Sequence, residues 1–154
     1  MGLASRLRRA RTLSLAEWRL LLLATPLLWR AAWLLRRLGV AQALAWSDRL
    51  TVNVARLRGF KAQEITDLVG AAARLVLPAG SCLAQSLVTC RLLTLAGYRA
   101  SLVIGAKQAS GTANPAGGFS AHAWVEATDS AALAQPLEFN RGDHEVLVKF
   151  GKSA

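Results

Sequence analysis

Residues 78–97 read PAGSCLAQSLVTCRLLTLAG, and this stretch decides the fold. Pro78, Gly80 and Ser81 form a short breaking and capping segment, so the sequence predicts a helix that begins at Cys82. Gly97 is predicted to end this helix. Its apolar residues cover much of the helical circumference, as in a largely buried helix: Leu83, Leu87, Val88, Leu92 and Leu95.

Downstream of this helix the pattern changes to strands. Residues 100–106 have a β-rich composition, and residues 105–118 are small, polar and glycine-rich, as in a loop. Residues 120–127 alternate, which predicts a half-buried strand with His122, Trp124 and Glu126 on one face. Further strands are predicted at residues 135–140 and 146–150. Helices followed by a meander of strands predict an α+β fold.

Upstream of the central helix the sequence predicts more helices. A capping-box pattern from Ser14 to Glu17 places the first helix start near Leu15. Pro26 predicts either a kink or a division into two helices, and Gly39 predicts a stop. Two further helices are expected at residues 41–58 and 62–75. We therefore divide the chain into a basic helical region, residues 1–60, and a second domain, residues 61–154, that contains the Cys82 helix and the strands.

Charge is distributed unevenly along the 154 residues. Lys and Arg number 19 against 9 Asp and Glu, a formal charge of +10, and most of the excess is arginine in the first sixty residues. A basic end predicts an acidic partner, and nucleic acid, anionic lipid and an acidic peptide or protein would all satisfy the charge. The sequence has no RNA- or DNA-binding motif, so we do not expect nucleic acid.

The N-terminal region imitates a secretory signal. Four arginines within residues 6–11 precede an apolar run at residues 20–29, but Arg30 closes the run and no small-x-small cleavage site follows. The run is also shorter than the roughly 20 apolar residues that span a bilayer. We therefore expect a cytoplasmic protein, whose mixed basic and apolar N-terminal region also allows peripheral contact with a membrane.

The chain has two cysteines and two histidines. Cys82 and Cys90 lie on the same predicted helix, about 12 Å apart, which is beyond the reach of a disulfide. Free thiols agree with a cytoplasmic location. No spacing matches a metal site, so neither metal nor cofactor is expected. Cys90 is interpreted as a small buried hydrophobe, and His144 as an ordinary surface or core residue without a catalytic role.

Cys82 and His122 have the chemistry of a catalytic pair. A cysteine in the first turn of a buried helix lies at the positive end of the helix dipole, which favours the thiolate, and nearby backbone amides can hold an oxyanion. His122, between two alanines, supplies a base. Glu138 or Asn140 on the following strand could orient the imidazole.

Several short segments carry a resemblance to a known family. They are SCLAQSL at 81–87, LL at 92–93, GY at 97–98, LVIG at 102–105 and GFSAHAWVE at 118–126. Together they resemble the lasso-peptide leader peptidases, a transglutaminase-like branch of the papain-type cysteine proteases. The resemblance implies a Cys-bearing helix packed on a small antiparallel sheet, with Cys82 as nucleophile and His122 as base.

The resemblance also implies partners. The expected substrate is the leader region of a ribosomally made lasso-peptide precursor. A separate leader-recognition domain protein would deliver it, and an ATP-dependent cyclase would close the macrolactam. Ser81 and Trp124 are candidates for the substrate cleft, although Trp124 could equally pack against the Cys82 helix.

The sequence departs from this family after Glu126. Family members commonly turn quickly there and present an aspartate on the next strand, whereas here residues 127–135 form a longer turn and no aspartate falls at that place. Asn140 is our choice as third member and Glu138 the alternative. Asp143 is reachable only if the strand ends early.

Two other functions compete with peptide hydrolysis. A transglutaminase-like acyltransferase would use the same pair and replace water with an amine, which the sequence does not separate from hydrolysis. A non-catalytic adaptor would use the basic helices to bind a partner or a membrane surface, and Cys82 would then be dispensable.

Overall fold

A computed structural model describes residues 13–57, 59–78, 81–108, 119–128, 137–139 and 145–151. Over these ranges the chain has helices followed by an antiparallel sheet, so the predicted α+β class is confirmed. The helices are α1 (Leu15–Arg37), α2 (Gly39–Arg49), α3 (Ala62–Val76) and α4 (Cys82–Ala96). The strands are β1 (Arg99–Gln108), β2 (Phe119–Thr128), β3 (Leu137–Phe139) and β4 (Glu145–Phe150).

Helix α1 begins with the predicted capping box. The backbone N–H of Ser14 donates to Oε2 of Glu17 at 2.6 Å, and the backbone N–H of Glu17 donates to Oγ of Ser14 at 3.2 Å. The hydrogen bond to the Ser14 backbone N–H holds the pKa of the Glu17 carboxyl below its usual value. Two N–H groups that the helix leaves unpaired are thereby satisfied.

Pro26 does not divide α1 into two helices. The helix runs through it to Arg37. Pro26 removes one backbone N–H and so leaves the carbonyl of Leu22 without its helical donor. Both residues lie on the exposed side of the helix, where water can satisfy that carbonyl, so the helix continues. The Thr25 hydroxyl adds a hydrogen bond to the carbonyl of Leu21 at 2.8 Å.

The prediction of one helix over residues 41–58 is wrong in its second half. Helix α2 ends at Arg49, and Leu50 continues in an extended conformation. Asn53 then caps a short 3₁₀-helix, Val54–Arg56, by accepting a hydrogen bond from the backbone N–H of Ala55 at 3.0 Å. An asparagine that bonds to the backbone two residues on favours such a turn over a continuous helix.

A side chain from α4 fixes the end of α2. The guanidinium of Arg91 donates to the carbonyl of Asp48 at 2.9 Å and to that of Leu50 at 2.6 and 3.1 Å. A cation at the C-terminal end of a helix also complements its dipole. This long-range contact is the part of the helix stop that local sequence patterns do not contain.

Helices α3 and α4 follow the prediction closely. Helix α3 spans Ala62–Val76, and α4 starts at Cys82 itself. Gly97 ends α4 with φ of 101°, a left-handed conformation that glycine adopts without steric cost. The Tyr98 hydroxyl then donates to the carbonyl of Phe60 at 3.0 Å and joins this end of α4 to the start of α3.

The four strands form one antiparallel sheet in the order β3-β2-β1-β4. Strands β1 and β2 pair along their whole length, and this register sets His122 opposite Gly105. The short strands β3 and β4 lie at the two edges. The predicted strands at 135–140 and 146–150 correspond to β3 and β4.

The hydrophobic core joins the helices to one face of the sheet. Residues of α1, α3 and α4 belong to one cluster together with Leu102 of β1 and with Ala123, Val125 and Ala127 of β2. Helix α1 therefore shares its core with the sheet. The division into two domains at residue 60 stays a prediction.

Gly105 lies where three strands approach closely. A Cβ atom there would be 2.7 Å from the ring of Trp124 and would also meet the backbone carbonyl of Glu145. We expect Gly105→Ala to lower the free energy of unfolding by about 1–3 kcal/mol, because neither the buried ring nor the β4 backbone can yield easily. Urea unfolding measures the change.

Gly70 provides the matched control for that substitution. A Cβ at Gly70, inside α3, would meet only the ends of Gln85 and Arg74, at 3.4 and 3.6 Å. Gly70→Ala should be neutral or stabilise the protein by about 0.5–1 kcal/mol, since alanine favours a helix interior. Equal destabilisation by both substitutions would contradict the close packing at Gly105.

Candidate active site

Cys82 is the first residue of α4 and is partly buried. The preceding Ser81 does not cap the helix, because its hydroxyl donates to the carbonyl of Pro78 at 2.9 Å. The N–H groups of the first turn are therefore not taken up by the Ser81 side chain. They lie at the same end of α4 as Cys82, where they can hold an oxyanion.

His122 lies in β2 and is also partly buried. Its neighbour Ala123 is small and buried in the same core cluster as α4, which lets the helix pack closely on the strand. The Ser86 hydroxyl of α4 donates to the carbonyl of Ala123 at 2.9 Å, in a buried position. Ser86 is one helical turn from Cys82, a rise of about 6 Å. The first two turns of α4 are thus fixed to the part of β2 that carries His122.

His122 and the helix that carries Cys82 lie on opposite faces of β2. Side chains alternate along a strand, so His122 shares the face of Trp124 and Glu126. Helix α4 packs on the other face, that of Ala123 and Val125. The fold brings the two chain segments together.

Of the two cleft candidates, Trp124 is in the interior. It is 0% exposed and its ring lies against Gly105, so it has no surface left for a substrate. Trp124 therefore has a packing role. Its ring packs against the sheet, whereas the sequence suggested packing against the Cys82 helix. Ser81 keeps a partly exposed position next to Cys82.

Glu126 makes an ion pair across the sheet. Lys149 Nζ of β4 lies 2.6 Å from Oε2 of Glu126. The Glu126 side chain is 13% exposed and that of Lys149 is 53% exposed, so solvent screens the pair only in part. The contact fixes β4 relative to β2 on the face that carries His122.

The third member of the site lies at the limit of the described residues. The backbone of Glu138 pairs with Glu126 in the register of β2 and β3. The Glu138 side chain lies outside the described residues, as do Asn140, Asp143 and His144. The choice between Asn140 and Glu138 therefore stays a prediction.

Cys90 differs from Cys82 in its surroundings. It lies two turns further along α4, and burial raises the pKa of its thiol to about 11, with a further contribution from the negative charge of Asp48. The Thr94 side chain and the charge of Arg91 act in the opposite direction and offset only part of the effect. Cys90 is thus a neutral thiol near pH 7, which agrees with its interpretation as a structural residue.

Alkylation of Cys90 should follow this raised pKa. In a Cys82→Ser variant, the iodoacetamide rate should still rise about tenfold per pH unit between pH 8 and 9.5, because the thiolate remains a small fraction below the pKa. The same variant in denaturant should level off above about pH 9. A folded-state plateau below pH 9 would contradict the effect of burial on Cys90.

Sequence reasoning missed the role of Ser86. A serine in the middle of an apolar helix was the available signal, since a buried hydroxyl needs a hydrogen-bond acceptor. Only the fold identifies that acceptor as the Ala123 carbonyl. As for metals, the described parts of the chain contain no group of three or more His, Cys, Asp or Glu residues that could hold an ion.

Comparison with known proteins adds one finding. A family model described as the transglutaminase-like superfamily matches residues 21–141, which include α4, β2 and most of α1. No curated protein and no solved structure matches the chain.

Proposed function

The chain belongs to the transglutaminase-like superfamily, whose members are commonly cysteine peptidases or acyltransferases, and from this we propose that it is a cysteine peptidase. Cys82 is its nucleophile and His122 its general base and acid. The observation that carries the proposal is the position of Cys82 at the start of α4, on a helix fixed to the His122 segment through Ser86.

In the first half-reaction, the Cys82 thiolate attacks the carbonyl carbon of the scissile peptide bond. Backbone N–H groups of the first turn of α4 stabilise the oxyanion that forms. The carbon–nitrogen bond then breaks as the His122 imidazolium gives its proton to the departing amine. The products are a free amine and a thioester on Cys82.

In the second half-reaction, neutral His122 accepts a proton from water, and the hydroxide oxygen attacks the thioester carbon. The carbon–sulfur bond breaks, which releases the carboxylic acid and restores the thiolate and imidazolium. Water is consumed once, and the chemistry needs no metal or organic cofactor.

The reaction requires the imidazole within hydrogen-bond distance of the thiol, about 2.6–3.2 Å or slightly more for sulfur. In free enzymes such contacts are often long and shorten only when substrate is bound. His122 and Cys82 are both partly buried, so each keeps a surface from which substrate can be reached.

As substrate we propose the leader region of a lasso-peptide precursor, processed in the cytoplasm. The support is the sequence resemblance of residues 81–105 and 118–126 to the leader peptidases. On this proposal a leader-recognition domain protein delivers the precursor, and an ATP-dependent cyclase uses the freed amine to close the macrolactam.

A reconstituted reaction tests the peptidase. The protein is mixed with a precursor peptide and the matching leader-recognition protein, and mass spectrometry follows the peptide and the protein. We expect a cleaved leader and, on rapid quenching, an adduct on Cys82 whose mass equals the leader minus water. Intact precursor after long incubation would contradict the proposal.

An added amine distinguishes hydrolysis from acyl transfer. The thioester is common to both reactions, and the group that attacks it decides the product. We expect free acid at the leader C-terminus even with a primary amine present at millimolar concentration. An amide as the main product would identify an acyltransferase instead.

The third member can be assigned by two single substitutions. We expect Asn140→Ala to lower kcat at least about tenfold and Glu138→Gln to have little effect, because an orienting residue holds the imidazole in its working tautomer. Leader cleavage by each variant is the measurement. The reverse order would assign the role to Glu138, and equal small effects would leave neither residue in it.

A further inference from the structure

Helix α1 has two apolar faces, and only one of them is in the core. Its buried face supplies Leu20, Ala24, Leu28, Ala31 and Leu34. The opposite side carries a second stripe of apolar residues spaced by three, four and seven positions. We call it the tryptophan face: Leu15 (68% exposed), Trp18 (43%), Leu22 (68%), Trp29 (65%) and Trp33 (46%).

Arginines accompany this face. Arg19, Arg30 and Arg37 are exposed and align along one flank of the stripe, while Arg36 follows the stripe at its C-terminal end. Arg30 also lies over the ring of Trp46, 6.0 Å from its centroid. The protein as a whole carries a formal charge of +10. An occupant of the tryptophan face therefore meets a positive field as well as an apolar surface.

We propose that the tryptophan face lies on an anionic membrane surface, with α1 parallel to the bilayer plane. Tryptophan favours the boundary between headgroups and acyl chains, since its ring is apolar and its N–H is polar. Arginines beside it pair with lipid phosphates. The stripe from Leu15 to Trp33 is about 27 Å long, so several lipids contact it at once.

Helix α1 lies on the membrane and does not cross it. By length and composition α1 could span a bilayer. However, its other face packs in the protein core, and a spanning orientation would have to separate Leu28 and Ala31 from α3 and α4. An interfacial helix keeps both faces covered, one by protein and one by lipid.

Charge favours lipid over a protein as the occupant. Tryptophan and arginine are also common in protein interfaces, so the apolar stripe alone does not decide. Basic residues along one flank of a helix suit a flat, laterally mobile anionic surface, and the net charge attracts that surface from a distance.

Vesicle sedimentation with the full chain tests the proposal. One set of vesicles contains phosphatidylcholine alone. The other contains phosphatidylcholine with about 30% of the anionic lipid phosphatidylglycerol. We expect the protein to sediment with the anionic vesicles and at least about tenfold less with the neutral ones. Equal binding to both, or binding to neither, would overturn the proposal, and the latter would leave the face to a protein partner.

Substitutions test which face binds. Trp29→Ser combined with Trp33→Ser should weaken binding at least about tenfold, because less apolar area enters the bilayer. Leu75→Ser removes an apolar side chain from α3 that is more exposed than either tryptophan, at 78%, and should bind like the wild type. Loss of binding in the Leu75 variant, or none in the tryptophan variant, would overturn the proposal.

Charge substitutions complete the comparison. Arg36→Gln combined with Arg37→Gln should weaken binding to anionic vesicles severalfold, whereas Arg74→Gln on α3 should not. Thermal unfolding confirms that each variant is folded. Cys82→Ser should bind vesicles like the wild type, so this result is independent of whether the protein is a peptidase.

Discussion

Cys82→Ala should reduce leader cleavage by about 10⁴-fold or more. Alanine leaves no atom that can form the thioester, so only the residual effects of binding and oxyanion stabilisation remain. The substitution removes one sulfur at the partly buried first residue of α4 and should change stability little. Single-turnover cleavage, measured with the precursor and its leader-recognition protein, gives the rate.

Cys90→Ala is the matched control, because it removes the other thiol of the same helix. Its thiol is partly buried and its pKa is raised to about 11, so it is neutral near pH 7 and should not act as a nucleophile. We expect cleavage within about threefold of the wild type, with some loss of stability from the small cavity. A Cys82→Ala variant as active as wild type would instead favour the non-catalytic adaptor, in which the helices alone matter.

His122→Ala should lower kcat by roughly 10²- to 10⁴-fold, the usual contribution of a positioned general base and acid. Substrate binding should change less, since the imidazole acts mainly in the transition state. The rate of cleavage at saturating precursor, compared with KM, separates the two effects. A large rise in KM with an unchanged kcat would make His122 a binding residue.

His144→Ala is the control for the loss of a histidine, and we expect it to cleave normally. A second variant tests how His122 is positioned. Ser86→Ala removes the buried hydrogen bond from the helix to the Ala123 carbonyl. Because this contact holds the His122 strand against α4, kcat should fall while KM changes little.

Local patterns in the sequence determined most of the elements. The capping box at Ser14, the start of α4 at Cys82 and its end at Gly97 all depend on residues within a few positions of each other, so they could be predicted without the fold. The alternation in residues 120–127 likewise identified β2, because side-chain direction along a strand has a fixed period. The superfamily match over residues 21–141 confirms the transglutaminase-like class that these segments indicate, whereas the leader-peptidase role stays a proposal.

Only the tertiary structure decided the contacts between distant residues. The end of α2 depends on Arg91, which lies more than forty positions downstream, and the close fit at Gly105 depends on a ring from another strand. For the same reason, the sequence of residues 78–97 determines only part of their structure. The sequence placed Cys82 at a helix start, whereas the hydrogen bond from Ser86 to Ala123, which joins that helix to the strand of His122, exists only after the chain has folded.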